Sequence, residues 1–392
     1  MAPLSKLSPL IRFCLGAFLL LTLAGCWDRR ELNDVVFPLA SAIDLEPDGK
    51  VRVTGEFPIV SRLGGESGQG GGGGKPYFIE SEKGETARDA FAKMQLRLSR
   101  SLNVSHRRVL IIGEDYARQG IRPIFDSLGR TPDIRLNGFL VIAKGKAYDL
   151  IKSNSPMENL TAEPLRELVK ELAGSRANLK NIAMGLGGEF GDPIIVYIGS
   201  IPNEKGTGKP TIGLLGYAQL HDDKMVGSFT DDLVEGISLL INTVPAHVIT
   251  AHMENKAPIS ILLKEGITKI NPKPGPGGKL RFDIQTTARG VLVEDRSGLD
   301  LNSKEAVEKI QNAVSQKLKS EMTQSLKQMQ AKQTDSVKLG NKVWQRYPRI
   351  WKDRYASDWG SSLQNAEFNI TVRSMIGVTG MTAENIARRA RK

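Results

Sequence analysis

The chain has 392 residues and a formal net charge of +11. That length suits two or three domains of ordinary size better than one core. Basic residues are interspersed with acids and only 6% of residues are aromatic, so the basic stripes and stacking platforms of nucleic-acid binders are missing and no nucleic-acid partner is expected.

Residues 1–25 read as a signal peptide. Lys6 and Arg12 precede an apolar run at 13–23 that is too short to cross a bilayer as a helix but suits a secretory leader. The run ends in Leu23-Ala24-Gly25-Cys26, which matches the bacterial lipobox. Cleavage would leave 367 residues (392 minus 25), a charge of +9 (+11 minus Lys6 and Arg12) and Cys26 as the remaining cysteine, since Cys14 lies in the leader. Cys26 is therefore the expected lipid-attachment residue, and no disulfide is expected. Two or more acyl chains, palmitate among them, are needed for stable anchoring, because one binds only marginally. A basic exported chain most simply meets anionic headgroups or wall polymers.

Residues 35–45 and 50–60 flank Glu46-Pro47-Asp48-Gly49 and read as a hairpin, with Pro38 and Pro58 at edges or bulges. The glycine-rich loop 64–74 holds eight glycines in eleven residues and reads as a spacer. A short strand is expected at 77–81. A helix follows, capped by Thr86, with Ala87, Phe91, Met94 and Leu98 on one face. Buried strands are expected at 108–113 and 137–143, with helical pieces between them up to Gly129. This alternation predicts an α+β N-terminal part with a mixed sheet.

A helix is expected at 164–172, a glycine-rich loop at 185–192 and a polar linker at 203–210. The linker mimics a phosphate-binding loop only superficially, because Asn203 and Pro210 stand where that motif needs glycine and a hydroxyl. Beyond it, 213–220 and 225–227 read as a hairpin, and Thr230 as the cap of a helix at 231–242 with the stripe Leu233, Ile237, Leu240 and Ile241. Extended segments at 246–253, 257–270 and 279–293 suggest an antiparallel meander. The helix at 303–332 carries Val307, Ile310, Val314, Leu318, Met322, Leu326 and Met329 at spacings of three and four. Covering the meander is the favoured role for that stripe, ahead of a partner-binding coiled coil. A helix at 335–351 ended by Pro348 and a strand at 367–376 complete the chain, which therefore reads as multi-domain: 1–25 signal peptide, 26–202 N-terminal domain, 203–210 linker, 211–380 C-terminal domain and 381–392 basic tail.

Catalytic constellations are absent from the sequence. His247 and His252 are five apart with no acid between them, and no Gly-x-Ser-x-Gly occurs. His221-Asp222-Asp223 has ligand-type side chains, but at a hairpin turn such acids are usually solvated. No enzyme activity, cofactor or metal is expected, and Trp344, Trp351 and Trp359 are read as core. Function should then lie in docking surfaces. Arg346, Arg349 and Arg354 are the candidate docking residues, since interfaces favour arginine and aromatic anchors.

The run Cys26-Trp27-Asp28-Arg29-Arg30-Glu31-Leu32-Asn33-Asp34 closely resembles the mature start of the Ger(x)C family, the lipoprotein C subunits of nutrient germinant receptors in endospore-forming bacteria. The resemblance continues through Gly84-Glu85-Thr86 before a helix, His106 before an apolar strand, Ala117-Arg118-Gln119-Gly120-Ile121 and Arg130-Thr131-Pro132-Asp133-Ile134-Arg135. It also covers the C-terminal helix, Arg-x-Pro segment and tryptophans, although 335–340 match loosely. It implies a lipid-anchored subunit on the outer face of the spore inner membrane, assembled with two integral-membrane partners of the A and B types. A solute-binding or cell-wall-associated lipoprotein is the alternative. A two-lobed solute binder should show repeated βαβ units and a double hinge, which the second half of the sequence lacks.

Overall fold

The computed structural model describes residues 32–59, 62, 75–131, 134–153, 160–202, 210–276 and 279–377, together with position 13. Cys26, the glycine-rich loop 64–74, residues 203–209 and the basic tail 381–392 lie outside the described residues.

The N-terminal elements run β1 (Val35–Val36), β2 (Ala40–Leu45), β3 (Val51–Pro58), β4 (Tyr77–Gly84), α1 (Ala87–Gln95), β5 (Ser101–Leu102) and β6 (Val109–Gly113). They continue through α2 (Glu114–Gln119), α3 (Arg122–Gly129), β7 (Phe139–Ala143), α4 (Ala147–Lys152), α5 (Ala162–Ala173), α6 (Leu179–Leu186), β8 (Ile194–Ile201), β9 (Thr211–His221) and β10 (Lys224–Thr230). Eight of these strands form one sheet in the order β10-β9-β8-β7-β6-β2-β3-β4. Its centre is parallel (β2-β6-β7-β8) and its flanks are antiparallel hairpins, so the mixed sheet expected from the alternation is present.

Strand periodicity explains the covering of both faces. Along β6, Val109 and Ile111 pack with α4 and α5 residues such as Leu150, Leu165 and Val169. Leu110 and Ile112 point the other way, into a cluster with Met94 of α1, Ala117 of α2, Ile124 of α3 and Ile182 of α6. Burial on both faces is the usual state of parallel strands and accounts for their continuous apolar runs. Thr86 caps α1 as expected, its hydroxyl accepting from the Asp89 N–H at 3.1 Å.

The C-terminal elements are α7 (Asp232–Leu240), β11 (His247–His252), β12 (Pro258–Pro274), β13 (Leu280–Asp295), α8 (Lys304–Ala331), α9 (Leu339–Arg346), α10 (Trp359–Gln364) and β14 (Glu367–Gly377). The order β11-β12-β13-β14 makes a second sheet. Its first three strands are the expected antiparallel meander, and β13 alternates buried and exposed residues along most of its length. Residues Ile310, Val314, Leu318, Met322, Leu326 and Met329 of α8 are fully buried with Phe282, Ile284 and Ala288 of β13. The long helix therefore covers the sheet.

β14 pairs with β13 in parallel, because α8 carries the chain back along the sheet and β14 enters in the same direction as β13. β8 and β9 are antiparallel neighbours, from Ile194↔Gln219 to Ile201↔Thr211. β9 and β10 thus extend the first sheet and cover what would be an open β8 edge. Some expectations about single elements are corrected. Thr230 ends β10 and does not cap α7, which starts after Asp231 without a side-chain cap. The helix expected to run to Pro348 stops at Arg346, and Pro348 starts a separate turn, Pro348–Ile350. Strand β8 and helices α4 and α6 stand where no element was expected.

Two buried carboxylates fasten helices to the first sheet. Asp44 of β2 accepts from the Ala147 and Tyr148 N–H groups at 2.7 and 2.8 Å. Glu56 of β3 accepts from Thr161 and Ala162 at 2.7 and 3.0 Å. Each caps a helix start, α4 and α5 respectively, where amides lack partners. Burial raises both carboxyl pKa values, opposed by these same backbone bonds. We predict that Glu56→Ala, by orphaning two buried donors, lowers unfolding stability by about 2–4 kcal/mol and that Glu56→Gln costs less. Urea denaturation measures this, and a loss below about 0.5 kcal/mol for Glu56→Ala would refute the capping role.

Candidate docking surface

The segment expected to dock partners is built around one carboxylate. Asp335, 2% exposed, accepts the N–H groups of Leu339 (2.6 Å) and Gly340 (2.8 Å) at the start of α9, and the Trp359 indole N–H at 3.2 Å. It therefore fixes α9 and α10 to one point. A Cβ on Gly340 would lie 2.9 Å from the Trp351 ring and 3.2 Å from that of Trp359, so the rings close on a position that admits no side chain. Phe190 completes the group: its centroid is 5.3 Å from both Trp344 and Trp351, and Trp351 is 5.1 Å from Trp359.

The same point joins the two sheets. The Asp335 N–H donates to Asp192 Oδ2 at 2.7 Å and the Asp192 N–H donates to the Asp335 carbonyl oxygen at 3.1 Å. Asp192 Oδ1 accepts from Asp222 N–H in the β9–β10 turn at 2.6 Å. Burial pushes the Asp335 carboxyl up to about 6 despite its backbone donors, and the neighbouring Asp192 adds to the rise.

Around this anchor the three candidate arginines are exposed, as expected. Arg346 ends α9, with Nη1 3.4 Å from Asn271 Oδ1 and its guanidinium 6.0 Å from the centroid of the Tyr347 ring. Arg349 sits in the turn Pro348–Ile350. Arg354 sits in a wide turn closed by an Ala356 N–H to Trp351 carbonyl bond at 2.9 Å. Neither Arg349 nor Arg354 makes an ion pair among the described residues. Trp351 and Trp359 are partly buried against the core, whereas Trp344 is 44% exposed; the core reading holds for two of the three tryptophans.

The metal-type groups are engaged elsewhere. Asp222 is ion-paired to Arg122, and Asp223 Oδ2 accepts from the Arg122 N–H at 2.9 Å. His247 Nε2 lies 2.5 Å from Glu235 Oε1, a contact that raises the imidazole pKa. Glu321 of α8 is held by Lys317, and burial lifts its carboxyl to about 7. Among the described residues no group of three or more His, Cys, Asp or Glu side chains converges on a possible metal position. Asp335 was visible in the sequence only as a member of a loosely matching motif, and Asp192 carried no signal.

A folded pKa above the unfolded value means the folded state binds the Asp335 proton more tightly. Its contribution is therefore complete below about pH 4 and is lost as pH rises to about 6, by on the order of 3 kcal/mol. Denaturation of wild type and Asp335→Asn at steps from pH 4 to pH 7 isolates the contribution of this carboxyl. The wild-type curve should fall more steeply across that window, and parallel curves would refute it.

Comparison with known proteins agrees with this architecture. Residues 28–200 match the family described as "Spore germination protein N-terminal domain", and residues 215–380 match "Spore germination B3/ GerAC like, C-terminal". The chain is 32% identical over 353 residues to "Putative spore germination protein YfkR" of Bacillus subtilis, covering 89% of this chain and 91% of the relative. It is 24% identical to "Spore germination protein B3" of the same organism, over 92% and 96% of the two chains. A solved structure, "Crystal Structure of the GerBC protein", superposes with a TM-score of 0.56 at 20% identity, covering 86% of this chain and 96% of that one, and so shares the fold. With both halves matched in order, the chain belongs to the Ger(x)C family of spore germination proteins.

Proposed function

We propose that this chain is the lipid-anchored C subunit of a nutrient germinant receptor, held on the outer face of the spore inner membrane and acting by assembly with two integral-membrane subunits rather than by catalysis. The observation that carries the reading is the pairing of two spore germination domains with a lipobox ending at Cys26. No helix among the described residues is long and apolar enough to cross a membrane, which leaves the Cys26 thioether as the attachment this reading requires. The exposed arginines and Trp344 on the rigid Asp335-centred scaffold supply the kind of anchors that partner surfaces use. The solute-binder alternative is disfavoured by a hydrophobic core that, among the described residues, runs from the first sheet into α8 and β13, where a hinged binder would have a cleft between two lobes.

Two experiments test this. In spores lacking both partner subunits, Cys26→Ser should move the chain from the membrane to the soluble fraction, and retention in the membrane would refute lipid anchoring. Alanine at Arg346, Arg349 and Arg354 together should leave folding within about 0.5 kcal/mol of wild type, as for exposed residues. Copurification of the membrane partners and nutrient-triggered germination should fall. A triple variant that folds, copurifies its partners and germinates normally places the docking surface elsewhere.

A further inference from the structure

Arg107 lies in the loop before β6. Its backbone is pinned, with its own N–H donating to the Val104 carbonyl oxygen at 3.2 Å and the next N–H, of Arg108, to that of Leu39 at 2.8 Å. The residue is 6% exposed, and its buried Nη2 has no hydrogen-bond partner among the described residues. A guanidinium keeps its charge at physiological pH and offers five donors. Burying it without an anion is strongly unfavourable, and burial alone draws its pKa down to about 10, with no acid opposing.

Arg107 lines a cleft of about 610 Å³ at the leading ends of β6 and β7. Arg108, Arg135, Arg166 and Lys170 line the same cleft, and no carboxylate does. Glu163 pairs with Arg108 and Arg166, and Glu167 with Arg166 and Lys170, so three of these cations are held in place by acids outside the lining. Arg135 is exposed and has no ion pair among the described residues.

We propose that this cleft is a binding site for a phosphate group, whose oxygens take the buried fork of Arg107 and the side chain of Arg135. Phosphate fits better than a single carboxylate because its higher charge and extra oxygens match several converging cations. The phosphate could belong to a free or small-molecule phosphate or to a phospholipid headgroup. The inference does not rest on the receptor reading.

Calorimetry and thermal unfolding of the intact chain in neutral detergent test it, with inorganic phosphate as one probe and soluble dihexanoyl phosphatidylglycerol as the other. Sodium chloride at matched ionic strength and dihexanoyl phosphatidylcholine serve as controls. Phosphate or the anionic lipid should raise the unfolding midpoint beyond its control. Arg107→Met should abolish that rise, and Arg135→Ser, an exposed change, should weaken binding at least about tenfold. Without ligand, Arg107→Met should unfold no lower than wild type, because a neutral side chain removes an uncompensated charge. Tighter binding of the lipid identifies a headgroup site, and tighter binding of inorganic phosphate a soluble ligand. The proposal is overturned if neither probe exceeds its control, if both variants respond like wild type, or if Arg107→Met is destabilised without ligand, which would mean that the protein already satisfies the charge.

Discussion

The contact on which most of this architecture depends is the apolar stripe of α8. Six of its side chains are fully buried against the second sheet, and at about 1.5–3 kcal/mol each they supply on the order of 10 kcal/mol or more of gross stabilisation before chain entropy is subtracted. The same helix reaches the first sheet with polar groups. Gln328 Nε2 donates to the Ser228 carbonyl oxygen at 2.8 Å and to Gln219 Oε1 at 2.9 Å, and towards α7 Ser325 Oγ donates to the Leu233 carbonyl oxygen at 3.1 Å. On its α7 side the approach is so close that a Cβ at Gly236 would lie 2.2 Å from the Glu321 carbonyl oxygen. One helix thus covers one sheet and spaces it from the other.

Buried charge does the rest of the joining, and its sign follows a rule. The acids Asp44, Glu56 and Asp335 are sunk where backbone amides have no other acceptor, so the desolvation of each is partly offset by two or more N–H donors. Glu46, at the first hairpin, is instead ringed by Arg52, Lys83 and Lys146, and its hydrogen bond with Arg52 is the chief reason its pKa falls to about 2. Arg107 follows neither pattern.

What could be read from the sequence was local. The α8 stripe declared itself through seven apolar residues at helical spacing, the first hairpin through its Pro-Asp-Gly turn, and α1 through Thr86. Strand β8 was hidden because its run Ile194–Ile201 sits between a glycine-rich loop and a polar segment, and a short apolar run has no period of its own. The direction of β14 depends on where a 28-residue helix delivers the chain, which no residue of β14 encodes. Within the docking segment the arginines were legible as exposed charges. Asp335 and Asp192 were not, because their roles lie in hydrogen bonds across 143 positions.

The parallel pairing of β14 has a kinetic side. Arg281 meets Glu367, so this ladder closes a loop of 86 residues, a slow step in a chain otherwise rich in hairpins. A polypeptide is made N-terminus first, and β13 therefore presents an open, alternating apolar edge until α8 and β14 have both followed it. Such an edge is where intermediates associate with one another. The widest central pairing of the first sheet, Ala40 with Val109, spans 69 positions (109 minus 40), so the edge of the second sheet is the one left open longest as the chain emerges.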